Sequence, residues 1–211
     1  MNPLARLGVS TVYEASGQDG LVDAALTRVV PGSRAAGPVR TVRCGQDDNF
    51  GVHLALDRIG PGEVLVVVMP RPAPVALVGG LLAAQAKARG AAALLVDAAV
   101  RDLDELVALG LPIWARWITS RGATKSGTAE LDVPVEVGGV LIAPGDQVVL
   151  DGDGVVRVPA ADLASTRSAA TRRADKENEL LPRLVAGEAT LDLMGLRRAN
   201  QPLDTTAEGP A

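Results

Sequence analysis

The sequence predicts a layered α/β fold with a C-terminal helical extension, and three observations carry that expectation. Two unbroken apolar runs, Val64–Met69 and Ala91–Val96, have the composition of strands covered on both faces, and an Ala-rich helical segment, Ala76 to Arg89, lies between them. Hydrophobic residues make up 47% of the 211 but aromatic ones only 2%, so the core must be Ala, Val and Leu; this suits close helix-to-sheet contact rather than an aromatic-rich β-sandwich. Beyond Pro159 the chain turns highly charged and helix-forming. The expected organisation is a core over 1–159, a helical extension over 160–200 and a loose, flexible tail over 201–211.

Taken in order, Arg40 to Cys44 reads as a strand following a turn at Gly37-Pro38, and Asp47-Asp48-Asn49 starts a helix whose apolar surface is Val52, Leu54, Ala55 and Leu56. Pro61-Gly62-Glu63 turns into the Val64–Met69 strand. After the proline-broken loop Pro70–Pro74 comes the Ala76–Arg89 helix, closed by Gly90, and then the Ala91–Val96 strand. Strand, helix, strand implies a right-handed parallel crossover, so a turn after Val96 sets Arg101 and Asp102 just past a strand's carboxyl end, where ligands of open α/β sheets gather. Pro112–Ala115 is a short strand, Arg121–Gly127 a flexible loop, and Val133–Ile142 a hairpin around Gly138-Gly139. Pro144-Gly145-Asp146 leads into Gln147–Leu150, and Asp151-Gly152-Asp153-Gly154 links it to Val155–Val158. Ala160–Leu184 is a helix with Arg173 and Glu177 on one face, kinked or ended by Pro182, and Glu188–Arg197 a second short helix.

Composition also excludes. A net charge of -4 argues against a general nucleic-acid binder. Cys44 is alone, which rules out an intramolecular disulfide and points to a reducing, cytoplasmic setting. Met1–Tyr13 lacks signal-peptide character, and Val64–Met69 is too short to cross a bilayer, so no membrane association is expected. His53 is the only histidine, which excludes a multi-histidine zinc site, and its helical position reads as structural. Gly79-Gly80 lacks nucleotide-loop spacing, and Asp151–Gly154 lacks the remaining ligands of a calcium loop. Asp48-Asn49 reads as a helix cap or a pocket-facing pair, and Lys125 as a solvated loop lysine or a steering charge.

The chemistry-bearing pair is Arg101-Asp102. A guanidinium offers a planar fork of donors to a carboxylate, and Asp is a hard oxygen ligand for Mg²⁺ or Mn²⁺. Around this pair, Gly37-Pro38 with Thr41-Val42, Asp48-Asn49, Pro61-Gly62-Glu63-Val64-Leu65-Val66-Val67, Gly79 with Leu81-Leu82-Ala83, Arg89-Gly90, Val96-Asp97 with Val100-Arg101-Asp102, Pro112-Ile113 with Ala115-Arg116, Gly138-Gly139-Val140, Pro144-Gly145-Asp146 and Asp151 to Val156 follow in order. This series resembles the RraA-like family. With Arg173 to Glu177, Gly187-Glu188 and Leu191 to Arg197 it is most similar to the longer branch, the 4-hydroxy-4-methyl-2-oxoglutarate and 4-carboxy-4-hydroxy-2-oxoadipate aldolases.

The resemblance implies an α/β/α-type sandwich, assembly into homotrimers or homohexamers, and an active site between subunits. It implies that Arg101 grips substrate, that Asp102 holds the metal, and that main-chain N–H groups over Gly79, Gly80, Leu81 and Leu82 bind a carboxylate. It places Glu177 of a neighbouring subunit's extension, with Glu179 the close competitor, on the metal's water shell. The implied reaction is class II cleavage of a 4-hydroxy-2-oxo diacid to pyruvate and a second 2-oxo acid, with oxaloacetate decarboxylation as a side activity. No Schiff-base lysine is required, and Lys87, Lys125 and Lys176, the only lysines, lie outside the apolar strands. The alternatives are a repurposed enzyme acting on another substrate and a non-catalytic binding or regulatory protein. The chain departs from the family pattern at Gly80, where an acidic residue is common, at Ala98, where Gly is usual, and at Val68-Met69, where Asp is common.

Overall fold

The computed structural model describes residues 2–196, so the expected tail and the end of the second short helix lie outside the described residues. Helices α1 (Pro3–Leu7) and α2 (Val9–Ala15) open the chain, followed by strands β1 (Thr27–Arg28) and β2 (Ala35–Cys44) and helix α3 (Phe50–Arg58). Next come β3 (Val64–Val68), β4 (Ala76–Val78), α4 (Gly80–Ala88), β5 (Ala93–Val100), α5 (Leu103–Leu109) and β6 (Ile113–Ile118). Short strands β7 (Ala129–Leu131), β8 (Val135–Val137) and β9 (Val140–Ile142) precede β10 (Gln147–Asp151), β11 (Gly154–Val158), α6 (Leu163–Val185) and α7 (Thr190–Leu193).

The main sheet runs β1-β6-β5-β3-β2-β10-β11, with β4 added beside β5 and β7 beside β2. Its centre, β2, β3, β5 and β6, is parallel, and β1, β7, β10 and β11 pair antiparallel at the flanks. The two apolar strands are buried throughout, as their composition requires. One face packs Leu65, Val67, Leu94 and Val96 against Val52 and Leu56 of α3 and Ala83 and Ala86 of α4. The opposite face packs Val64, Val66, Leu95 and Trp114 against the separate β8–β9 hairpin. Small side chains on α4 let its backbone approach the sheet closely, which is the use of the aromatic-poor composition.

The structure departs from the sequence reading in several places. Gly37-Pro38 is inside β2, not a turn before it. The strand passes so close to the preceding turn of β3 that a Cβ on Gly37 would lie 2.2 Å from the Gly62 carbonyl oxygen. Ala76–Val78 is a strand, and the helix begins only at Gly80, because Ala76, Leu77 and Val78 are fully enclosed and hydrogen-bonded alongside β5. β5 continues through Asp97 to Val100, so no turn follows Val96. Pro182 does not end α6, which runs on to Val185; the bond that proline forfeits is to the carbonyl of exposed Asn178, where water can replace it.

Two compact units divide the described residues, the first ending at 171 and the second beginning at 172. The first runs past Pro159 because Ala170 packs with Leu4, Val9, Val12 and Val149, and Thr166 is buried. In the second, Arg173 pairs with Glu177 at 3.1 Å and Arg183 with Glu188 at 2.6 Å. Among the described residues no helix is long and apolar enough to cross a membrane.

Candidate functional site

Arg101 and Asp102 leave the carboxyl end of β5 directly, ahead of α5. Asp102 sits in the left-handed region at φ 62°, ψ 49°, which a short polar side chain tolerates better than most. That conformation turns its carboxylate to the start of α4, where Oδ2 accepts the Gly80 N–H at 2.9 Å and stands 3.7 Å from Arg101 Nε. The Arg101 side chain threads between two glycines. A Cβ on Gly79 would meet Arg101 Cγ at 3.0 Å and Asp102 Oδ2 at 2.6 Å, and one on Gly122 would meet Arg101 Nη1 at 2.8 Å.

These groups face a cleft of about 200 Å³ lined also by Asn49, His53, Ala76, Leu81, Leu82, Gln85, Ala123 and Lys125. Asn49, just before α3, is only 7% exposed; its Nδ2 donates to the Leu77 carbonyl at 3.0 Å, and its Oδ1 is enclosed without a partner. The loop bearing Lys125 is tied down by Asp48, whose Oδ2 accepts from Thr124 Oγ1 at 2.7 Å and from the Ser126 and Gly127 amides at 2.7 and 2.9 Å, while Oδ1 accepts the Phe50 N–H at 2.8 Å. Burial pushes the Asp48 carboxyl up, but these four donors together outweigh it and hold it down at about 2. Cys44, nearby on β2, is buried and its thiol is pushed up to about 12, chiefly by desolvation. It is a packing residue.

Of the residues singled out from the sequence, Gly79, Leu81, Leu82, Arg101 and Asp102 line this one cleft, and Gly80 touches it through its amide. Glu177 belongs to the second compact unit, where it pairs with Arg173. Asn49 is both helix-flanking and pocket-lining, and Lys125 is at the cleft rather than merely on a loop. His53, read as structural, is exposed and lines the cleft, and Gln85 was not singled out at all. Spacing was the available signal: Asn49 and His53, like Leu81 and Gln85, are four apart and so share a helix face.

Electrostatically the cleft presents Arg101, Lys125 and the N–H groups of the α4 amino end against a single carboxylate. That balance favours an anion. Among the described residues no three His, Cys, Asp or Glu side chains gather as a cage for a metal. Asp102 alone, 42% exposed and with Oδ1 directed to no protein donor, still fits a hydrated hard cation, because Mg²⁺ keeps most of its waters and needs only one or two carboxylates.

Fold and cleft together define an α/β protein with an Arg-Asp pair in a cleft at the carboxyl ends of its parallel strands. The chain belongs to the RraA-like family, whose model, described as Aldolase/RraA, matches residues 9–157. It is 35% identical over 145 residues, 68% of this chain and 69% of the relative, to a Halalkalibacterium halodurans protein named "Putative 4-hydroxy-4-methyl-2-oxoglutarate aldolase". Among solved structures it is similar to the RNA-processing inhibitor RraA from Thermus thermophilis, with TM-score 0.66 and 33% identity over 71% of this chain and 91% of that one. It is also similar to RraAS2 of Streptomyces coelicolor, an unusual member of the RNase ES inhibitor RraA family, with TM-score 0.74 and 30% identity over 83% and 92% of the two chains.

Proposed function

We propose that this protein is a metal-dependent carbon–carbon lyase that cleaves a 4-hydroxy-2-oxo diacid to pyruvate and a second 2-oxo acid. One observation carries the reading: a guanidinium and a lightly ligated carboxylate stand side by side at a helix amino end, in a cleft with no second acid. Arg101, held straight between Gly79 and Gly122, takes one oxygen pair of the substrate, and the amides of Leu81 and Leu82 take the 1-carboxylate. Lys125, on its anchored loop, faces the remote carboxylate of a diacid. Asp102 would hold Mg²⁺ or Mn²⁺, with the Gly80 N–H occupying Oδ2 and leaving Oδ1 free to do so. When bound, the cation supplies a Lewis acid for the electron density released as the carbon–carbon bond breaks. Oxaloacetate, a shorter 2-oxo diacid, meets the same groups.

Leu81, 90% exposed at the mouth of the cleft, supports the further proposal that the protein works as a homotrimer or homohexamer with a neighbour covering it. The test is pyruvate release from a 4-hydroxy-2-oxo diacid and from oxaloacetate, with Mg²⁺ or Mn²⁺ and again with chelator. Turnover that is abolished by chelator and by Asp102→Ala is the expected result. Wild-type protein that releases no pyruvate, or does so equally well with chelator, refutes the reading.

A further inference from the structure

Strand β5 changes partners in its middle. As far as Val96 its neighbours are β3, with Val67 opposite Val96, and β6, with Ala115 opposite Val96. From Ala99 onward β4 replaces β3, and on the other side Trp117 and Ile118 stand opposite Ala99 and Val100. Between the two stretches, Asp97 and Ala98 of β5 face the single residue Arg116 of β6, a two-to-one bulge. Asp97 is 3% exposed, and its Oδ1 accepts a hydrogen bond from Nε of that same Arg116.

An ion pair with its carboxylate buried inside a sheet and its guanidinium mostly enclosed is a costly way to gain stability, since well-packed apolar residues of like volume often serve as well or better. Register is what this pair is placed to specify. Resting on the reading of Arg101 as the carboxylate-binding group, we infer that Asp97 and Arg116 are positioning residues, whose ion pair fixes the bulge and so sets where Arg101 and Asp102 leave the strand. Were the bulge to relax to one-to-one pairing, everything after Val96 would slide along β4 and β6 by one residue, about 3.3 Å. That would dismantle the cleft: Val100, without a charge, would move into the place of the guanidinium, which now runs so close beside Gly79 that a Cβ there would meet Arg101 Cγ and Nε at 3.0 and 3.1 Å. Two backbone bonds report the register: Arg101 N–H to the Val78 carbonyl at 3.1 Å, and Thr119 N–H to the Val100 carbonyl at 2.9 Å.

The experiment compares wild type with the apolar double variant Asp97→Leu/Arg116→Met, and with Asp97→Asn should the double variant not fold. Amide hydrogen exchange at Arg101 and Thr119 is expected to quicken at least tenfold, while Leu94, paired ahead of the bulge, keeps its protection. Oxalate in Mg²⁺ buffer is expected to bind at least tenfold more weakly, but less than twofold more weakly when the same change is made in an Arg101→Lys background. Unchanged exchange at both amides overturns the inference, as does an equal loss of oxalate affinity in both backgrounds. Failure of the lyase reading is separate: it appears as wild-type protein that releases no pyruvate, and the two amides still report the bulge.

Discussion

Replacing Gly79 by Ala isolates the geometry of the Arg-Asp pair from the stability of the fold. Gly79 has φ -135° and ψ -171°, extended backbone that alanine adopts freely, so the substitution carries no conformational strain. The new methyl would lie 2.6 Å from Asp102 Oδ2 and 3.0 Å from Arg101 Cγ. Reaching an ordinary separation of about 3.5 Å requires Asp102 to retreat by roughly 1 Å. Its 2.9 Å bond from Gly80 N–H is then lost. A hydrogen bond to a charged group contributes about 1.5–3 kcal/mol, and at a carboxylate 42% exposed the water that replaces it recovers most of that, leaving a stability loss of about 1 kcal/mol or less. Thermal unfolding should therefore fall by only about 2–4 °C. Catalysis should suffer far more, because displacing a catalytic group by about 1 Å costs on the order of 100-fold. The assay is kcat/KM for pyruvate release beside the unfolding curve, with Gly80→Ala as control; its Cβ would make ordinary contact at 3.6 Å from the same oxygen. A Gly79→Ala protein within threefold of wild type refutes the argument that these two atoms set the site.

The acidic residue common in the family after Gly79 can be restored. Gly80→Asp occupies the first turn of α4, where a carboxylate is favoured by the helix dipole, and should tighten Mg²⁺ or Mn²⁺ binding about 10- to 100-fold by calorimetry; unchanged affinity counts against Asp102 as the metal's ligand. Asp48→Asn removes the anchor of the Lys125 loop and should raise KM for a 4-hydroxy-2-oxo diacid, read from initial rates of product release, more than it raises the inhibition constant of pyruvate, which has no remote carboxylate. The same variant tests linkage. Asp48 is lowered from 3.8 to about 2 on folding, so its contribution is fully present above pH 3.8 and is lost as pH falls through 2. The stability difference between wild type and Asp48→Asn, on the order of 1–2 kcal/mol in urea titrations at pH 6, should shrink by pH 2. A difference that is constant with pH assigns it to packing instead.

What could be read from the sequence was whatever local pattern encodes. The apolar runs of β3 and β5 and the small-residue face of α4 declare themselves by composition, and with them the crossover that brings Arg101 and Asp102 to a strand's end. Asp97 was read as the start of a turn because a carboxylate inside an apolar run contradicts the pattern. The contradiction is resolved by Arg116, nineteen residues later on the neighbouring strand, and no window over β5 contains it. The same limit hid where the helix begins. It was read as running from Ala76 through Gly79-Gly80, yet these glycines mark its start, and the first of them is small because Arg101 and Asp102, just past β5, occupy the space beside it. Helices α1 and α2, five and seven residues long, were missed because so few turns show no periodicity.

The arrangement also separates two tasks that the adjacency of Arg101 and Asp102 in sequence merges. Arg101 is confined by backbone on either side, Gly79 and Gly122, and its own N–H is bonded into β4, so its direction is a property of the sheet. Asp102 is hydrogen-bonded by the Gly80 amide, with Arg101 Nε 3.7 Å away, and lies half in solvent, so its direction is set chiefly at the α4 amino end. Perturbing the sheet, as at Asp97, should therefore act first on the binding of a carboxylate. Perturbing the helix start, as at Gly80, should act first on the cation. A variant set in which both changes shift oxalate and metal affinity in fixed proportion would mean that the two groups move as one body, and the division of labour argued from their separate supports would fall.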